Sequence, residues 1–230
     1  MTHFNWTQLI PIVGHDYIHI ATLLVAGAVM LLLAISGRLA LGNIQTEGYI
    51  PASRLSIKGF FEAVVEFIVS ISDMVVGEHG RKFVPMFVSI FLFVLINNLF
   101  GLVPGWTPAT DNLNTTLALG LFMFVAYNVC GIKEHGAAYI KQFMGPILFL
   151  APFMFLVEMI SHLIRPFSLG LRLKWNMAGD HILVGVFYSL FEYLLPLPLM
   201  ALGLFVCFMQ AFVFTMMGMI YVSLAISHDH

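Results

Sequence analysis

Long apolar stretches separated by short polar ones give this chain its pattern. A membrane span needs about 20 mainly apolar residues, and four stretches meet that length directly: Ile18 to Ser36, Phe83 to Val103, Thr115 to Ile132 and Leu194 to Ile226. From Gly145 to Leu190 runs a longer apolar stretch, interrupted only by single polar side chains. As one helix at about 1.5 Å per residue it measures roughly 65–70 Å, twice the hydrocarbon thickness of a bilayer. It suits either two crossings with a turn near Arg165-Pro166 or one long, steeply tilted helix.

Ser53 to His79 has a different period. Apolar residues fall at Ile57, Phe60, Phe61, Val64, Val65, Ile68, Ile71 and Val75, and charged ones at Lys58, Glu62, Glu66 and Asp73. These are two faces of one amphipathic helix, and its charges oppose a crossing. It is expected to lie at the membrane interface or to pack on a partner helix. The Pro104-Gly105-Trp106-Thr107-Pro108 run and Asp111-Asn112 mark a loop.

Positive charge separates the two topologies. Five of the ten Lys and Arg residues (Arg38, Arg54, Lys58, Arg81 and Lys82) lie between the first two spans, and Lys133 and Lys141 follow the third. Basic loops stay on the cytoplasmic side. A single crossing over 145–190 keeps all of them there, with the N-terminus outside and the C-terminus inside. A double crossing would carry Arg165, Arg172 and Lys174 into an external turn. The expectation is an all-α polytopic protein: one membrane domain, five crossings, one interfacial helix and a long tilted C-terminal helical hairpin.

Composition agrees. The 230 residues are 60% hydrophobic and 10% charged, against about 25% charged in a soluble domain. Cys130 and Cys207 lie inside apolar runs and are expected as buried thiols, with neither a disulfide framework nor a metal site. Met1 to Tyr17 has no basic run ahead of its apolar one, so no cleavable signal is expected there.

The chemistry must come from the few polar groups at membrane depth: Asn97, Asn98, Glu158, His162, Arg165, Arg172, Lys174, Asn176, Asp180, His181, Glu192 and Gln210. A charge at mid-span costs at least about 2.5–3.5 kcal/mol, so its retention asks for a reason. On one helix Arg172 and Asn176 lie about 40° apart, Arg165 about 20° and Glu158 about 40° from Arg172, provided Pro166 keeps the phase. Lys174 and His181 point roughly to the opposite side. Arg172 is either held in an internal salt bridge to Glu158 or Glu192, or left to meet an anion from elsewhere. Glu158 is either the partner of Arg165 or a carboxylate in a proton path, where burial and arginine pull its pKa in opposite directions. His162 and His19 suit hydrogen-bonded packing roles, and Lys174 suits snorkelling to an interface. Asp180 beside His181 places two ionisable groups together in an apolar context. Gln210 needs a partner in the last helix, and Arg172 is the expected one. Asn97 and Asn98 either cross-link helices or line an aqueous inlet.

These residues carry a resemblance. The chain resembles subunit a of the bacterial F-type ATP synthase over nearly its whole length, from Asn97-Asn98-Leu99-Phe100-Gly101-Leu102-Val103-Pro104 to Gln210-Ala211-Phe212-Val213-Phe214 and Tyr221. The most specific string is Arg165-Pro166-Phe167-Ser168-Leu169-Gly170-Leu171-Arg172-Leu173, followed by Asn176-Met177. The resemblance implies that Arg172 is the arginine facing the rotor ring, that Glu158 is the acid of the proton path, and that Asn176, Gln210 and His181 take matching positions. Asp180 joins that set, with Asn97, Asn98, Ser168, Glu192 and Tyr221 as half-channel lining. Lys174-Trp175 replaces the family's Phe-Gly, Ala178-Gly179-Asp180 departs from its usual large residue, Ala and Gly, and Gly203 stands where the last helix usually has a polar residue.

The resemblance further implies a non-catalytic, proton-translocating stator in the bacterial inner membrane. Its implied partners are the c-ring proteolipids, b-type peripheral-stalk subunits, the rest of the synthase and the lipid bilayer, with no cofactor, metal or nucleic acid. Two other classes compete. A stand-alone transporter with an Arg-carboxylate gate should show an inverted repeat or paired broken helices, and none is visible. A membrane enzyme or haem protein using His162 and His181 should show a nucleophile with its base, or closed ligand spacing; neither pattern is present.

Overall fold

In a computed structural model of the chain, residues 18–40, 56–103, 108–136, 151–190 and 196–226 are described, together with Trp106 and Tyr139. The described elements are α1 (Ile18–Ala40), α2 (Ile57–Val75), a 3-10 helix (Glu78–Phe83), α3 (Val84–Gly101), a short 3-10 turn (Ala109–Asp111), α4 (Leu113–His135), α5 (Ala151–Leu190) and α6 (Pro196–Ile226). Five helices are long and apolar enough to cross a membrane: His19–Leu39, Gly80–Gly101, Leu113–His135, Pro152–Phe187 and Pro198–Ile226. The fold is all-α and polytopic, and α2 is outside that set. Residues 53–55, 145–150 and 194–195 of the expected segments, and Glu192, lie outside the described residues. Two compact units divide the chain, Met1–Ala109 and Thr110–His230.

In the first unit α2 starts where Ser56 accepts the Gly59 N–H at 3.2 Å, closing the first turn with its own side chain. Its apolar face packs on this chain's own helices: the Phe67 ring lies 6.1 Å from Phe91 of α3, and Phe61 lies against Gly37 of α1. The chain leaves α2 through Gly77, whose φ of 78° suits glycine. Arg81 then donates to both Asp73 oxygens, at 3.0 and 3.2 Å. That hydrogen bond, against a smaller opposing effect of burial, holds the Asp73 carboxyl below the usual carboxylate range. The tie therefore persists to lower pH than an unpaired aspartate would allow. Asn97 and Asn98 of α3 are fully buried, and Asn97 Nδ2 donates to the Phe93 carbonyl at 2.8 Å.

In the second unit α4, α5 and α6 all pack on one another. Helix α5 continues unbroken through Pro166, so the stretch makes one crossing rather than two. Proline cannot donate to the carbonyl four residues earlier, yet its fixed φ is compatible with helix, and packing against neighbours supports the gap. The neighbour is α4, at a crossing of two glycines. A Cβ on Gly120 would strike the Pro166 carbonyl, and one on Gly170 would come within 2.8 Å of the Thr116 carbonyl. Backbone approaches backbone there, which only small residues permit.

The buried stripe of α5 runs His162, Pro166, Leu169, Gly170, Leu173 and Met177. Its spacing of three and four is that of one helix face. On α6 the buried residues include Cys207, Ala211, Phe214, Met219 and Val222.

Replacing Gly170 by leucine should separate α4 from α5, since the obstructing atoms are backbone. A loss of about 1–3 kcal/mol is expected for such overpacking. It would be read as a lowered thermal midpoint of the detergent-solubilised protein, and an unchanged midpoint would contradict the crossing.

Candidate functional site

Arg172 lies about 110° around α5 from the centre of the buried stripe, by helical phase. Its side chain is accordingly exposed. Ser168 and Asn176, each about 40° from it by helical phase, are exposed beside it, with Leu171 and Trp175 of α5 exposed further round. No ion pair of Arg172 is present among the described residues. The internal salt bridge to Glu158 does not form, because Glu158 is engaged elsewhere: Arg165 Nη2 donates to its Oε1 at 3.2 Å. That pair spans two turns on one face, as the phase required, and Pro166 lies outside it.

One turn beyond Arg172, Asn176 Nδ2 donates to Gln210 Oε1 across to α6. Gln210 was expected to engage Arg172 and does not; the nearer amide takes it. Gln210 is buried, and its Nε2 has no partner among the described residues. Contacts 176 to 210 and 165 to 221 fix α5 and α6 as antiparallel neighbours.

The other expected residues distribute as follows. Ser168 is exposed on the Arg172 side of the helix. Asp180 is partly buried and lies within electrostatic reach of Cys207 on α6. His181 is helical, but its side chain falls outside the described set. Lys174 Nζ sits 5.5 Å from the centroid of the neighbouring Trp175 ring, a cation–π contact rather than a place beside Arg172. Asn97 and Asn98 belong to the first unit, away from these helices in the chain.

A second polar cluster was not foreseen. His162 is buried in the packed stripe, and its Nε2 lies 2.9 Å from Asn128 Oδ1 on α4. Tyr139 donates to the same Asn128 oxygen at 3.1 Å. The Asn128 amide nitrogen is committed to the Phe124 carbonyl at 2.7 Å, so its oxygen must be the acceptor and His162 Nε2 must carry the hydrogen. The Tyr127 hydroxyl lies 3.4 Å from Nδ1 and 3.5 Å from Nε2, against the edge of the ring. The Tyr127 ring rests on Tyr221 of α6 at 5.7 Å, and the Arg165 guanidinium lies 5.4 Å from the centroid of that ring. Burial pushes the Tyr139 hydroxyl up, which keeps it a neutral donor. The sequence signal for this cluster was the adjacent Tyr127-Asn128 in the third span, where two polar side chains need partners.

These features define a class: a five-span helical membrane protein whose longest helix exposes a guanidinium with no ion pair among the described residues. Comparison with known proteins supplies the family. The family model described as ATP synthase A chain matches residues 19–223. The chain is 51% identical over 228 residues to ATP synthase subunit a of Bdellovibrio bacteriovorus, covering 99% of both chains. It is 41% identical over 217 residues to ATP synthase subunit a of Citrifermentans bemidjiense, covering 94% of this chain and 90% of that one. To ATP synthase subunit a of Trichlorobacter lovleyi it is 46% identical over 174 residues, 76% of each. The chain belongs to the ATP synthase subunit a family. Membership speaks against both the stand-alone transporter and the membrane haem enzyme.

Proposed function

We propose that this chain is the proton-translocating stator of the membrane sector of a bacterial F-type ATP synthase, with Arg172 as the fixed cation that passing rotor carboxylates meet. The observation that carries the role of Arg172 is its exposed guanidinium, without an ion pair among the described residues. A cation left in that state suits an anion brought by another subunit. The partner is the c-ring, each protomer presenting a carboxylate near the bilayer midplane, and b-type subunits hold the chain against it. The chain itself performs no bond chemistry. It works in the bacterial inner membrane with the N-terminus outside and the C-terminus in the cytoplasm.

The physics follows from the charge states. A ring carboxylate facing lipid stays protonated, because an unpaired anion there is too costly. Opposite Arg172 it ionises, since an opposite charge within about 4–6 Å favours the charged form. Two offset aqueous half-channels load and unload it, so nearly a full turn separates the two events. Each elementary charge moved through 100 mV supplies about 2.3 kcal/mol to bias the rotation. Arg172 also blocks direct passage between the half-channels, because a permanent cation repels a proton.

The remaining residues follow from this scheme. Asn176 and Gln210 hold α5 against α6 one turn from the guanidinium. Glu158, about two-fifths exposed at 42%, exchanges protons on the cytoplasmic side and alternates between its ion pair with Arg165 and the protonated acid. Asp180 and His181 serve the opposite half-channel, Lys174-Trp175 shapes it, and Ser168, Tyr221, Glu192, Asn97 and Asn98 contribute lining.

Three outcomes are expected. Arg172→Ala should abolish ATP-driven proton pumping in inverted vesicles; retained coupled pumping refutes the assignment. Glu158→Gln should lower the pumping rate about 10-fold or more, in the range of a lost proton-transfer group, without dismantling the complex. A single cysteine placed at residue 229 should react with a membrane-impermeant thiol reagent in inverted vesicles and not in intact cells; the reverse pattern overturns the orientation.

A further inference from the structure

The flank of α5 that carries Arg172 is polar or bare along most of its length. By helical phase Glu158, Ser161, Arg165 and Ser168 lie within about 40° of Arg172 before it, and Asn176 and Gly179 within about 40° after it. Of the large apolar side chains exposed between 158 and 179, only Trp175 comes within about 60° of Arg172. Its indole is 65% exposed. Ser161, Ser168 and Trp175 recur every seven residues, a spacing that drifts only about 20° per step on a straight helix. The exposed serine line therefore runs past the guanidinium and ends on the indole.

The direction of Trp175 is set by the packing of α5. Helix α4 meets it at Pro166 and Gly170. Trp175 lies about 160° around the helix from that contact, and Arg172 about 140° from it in the other sense. The two side chains thus stand on either side of the direction that faces away from α4. The polar groups beyond Arg172 turn aside, since Asn176 donates to Gln210 of α6. The Lys174 ammonium sits 5.5 Å from the indole centroid and holds the ring by a cation–π contact.

We propose that Trp175 is the seal between this chain and the rotor ring on the side of Arg172 away from Glu158, its indole filling the gap so that water following the Ser161–Ser168 line goes no further. The inference rests on the assignment of Arg172 to the position facing the ring. A fixed cation repels a proton, but water beside it screens that repulsion within a few ångströms. A large apolar side chain in the same constriction excludes the water itself. The resemblance puts Gly at this position in the family, so the ring that meets this chain has room for an indole there, as a small residue on the facing helix would provide.

The test uses the intact synthase in inverted vesicles whose ring carboxylates have been blocked with a hydrophobic carbodiimide, so that rotation carries no protons. A pH gradient is imposed and its decay followed with a pH-sensitive dye, above the background of vesicles lacking this chain. Trp175→Ala should speed the decay roughly tenfold, and Trp175→Phe, which keeps an aromatic ring, should stay near wild type. An indole that merely faced lipid would leave the decay unchanged, and equal decay in Trp175→Ala and wild type overturns the proposal.

Should Trp175→Ala fail to assemble, Trp175→Leu carries the test. It keeps apolar surface for packing but lacks the reach of the indole, so its leak should exceed that of Trp175→Phe; equal leaks overturn the proposal. Arg172→Ala, measured alongside by ATP-driven pumping without the carbodiimide, separates the two levels. If it retains coupled pumping, the Arg172 assignment fails and the seal with it. If it abolishes pumping while the Trp175 variants stay tight, only the Trp175 proposal fails.

Discussion

A guanidinium keeps its proton at any physiological pH, so a chain that holds one at membrane depth must either neutralise it or leave it for a partner. Among the described residues, the groups expected to engage Arg172 are bound to something else: Glu158 is taken by Arg165 and Gln210 by Asn176. The hydrogen bonds are arranged around the arginine rather than on it. That distribution is what an exposed, unpaired cation requires if it is to keep its charge for a visitor.

Position matters as much as charge, and backbone contact sets it. At the α4–α5 crossing Gly120 faces the Pro166 carbonyl and Gly170 faces the Thr116 carbonyl, with no side chain to act as a cushion. Such a contact tolerates little sliding, because moving α5 along its axis would bring a larger residue into the gap. Arg172 lies two residues beyond Gly170, so the height of the guanidinium is tied to that crossing. The Asn176–Gln210 bond then fixes the same stretch to α6 from the other side.

Helix α5 thus presents two faces with different duties. One flank exposes Arg172 between Ser168 and Asn176, and the buried stripe carries His162 into a network of tyrosine and asparagine side chains. The Glu158–Arg165 pair lies between them, touching the network through Tyr221. The proton chemistry proposed for the flank and this buried network are therefore neighbours on one rigid element. Rigid elements place groups more accurately than loops do.

Much of this was written in the chain. Apolar run length determined the crossings, because a helix satisfies its own backbone hydrogen bonds and needs only apolar side chains over the bilayer's thickness. The amphipathic α2 was legible from its period, and Arg172 stood out because charge at that depth is costly. Unbroken helix through Pro166 was anticipated from the placement of basic residues. Tertiary structure alone decided which polar group met which. Helical phase put Glu158, Arg165, Arg172 and Asn176 on neighbouring positions, yet left open whether Glu158 would join one arginine or the other. The choice of Asn176 over Arg172 for Gln210 depended on the register of α5 against α6, a matter of a single turn. The cluster of Tyr127, Asn128, Tyr139 and His162 joins residues far apart in sequence. A one-dimensional pattern records which face a residue occupies but not which helix that face will meet.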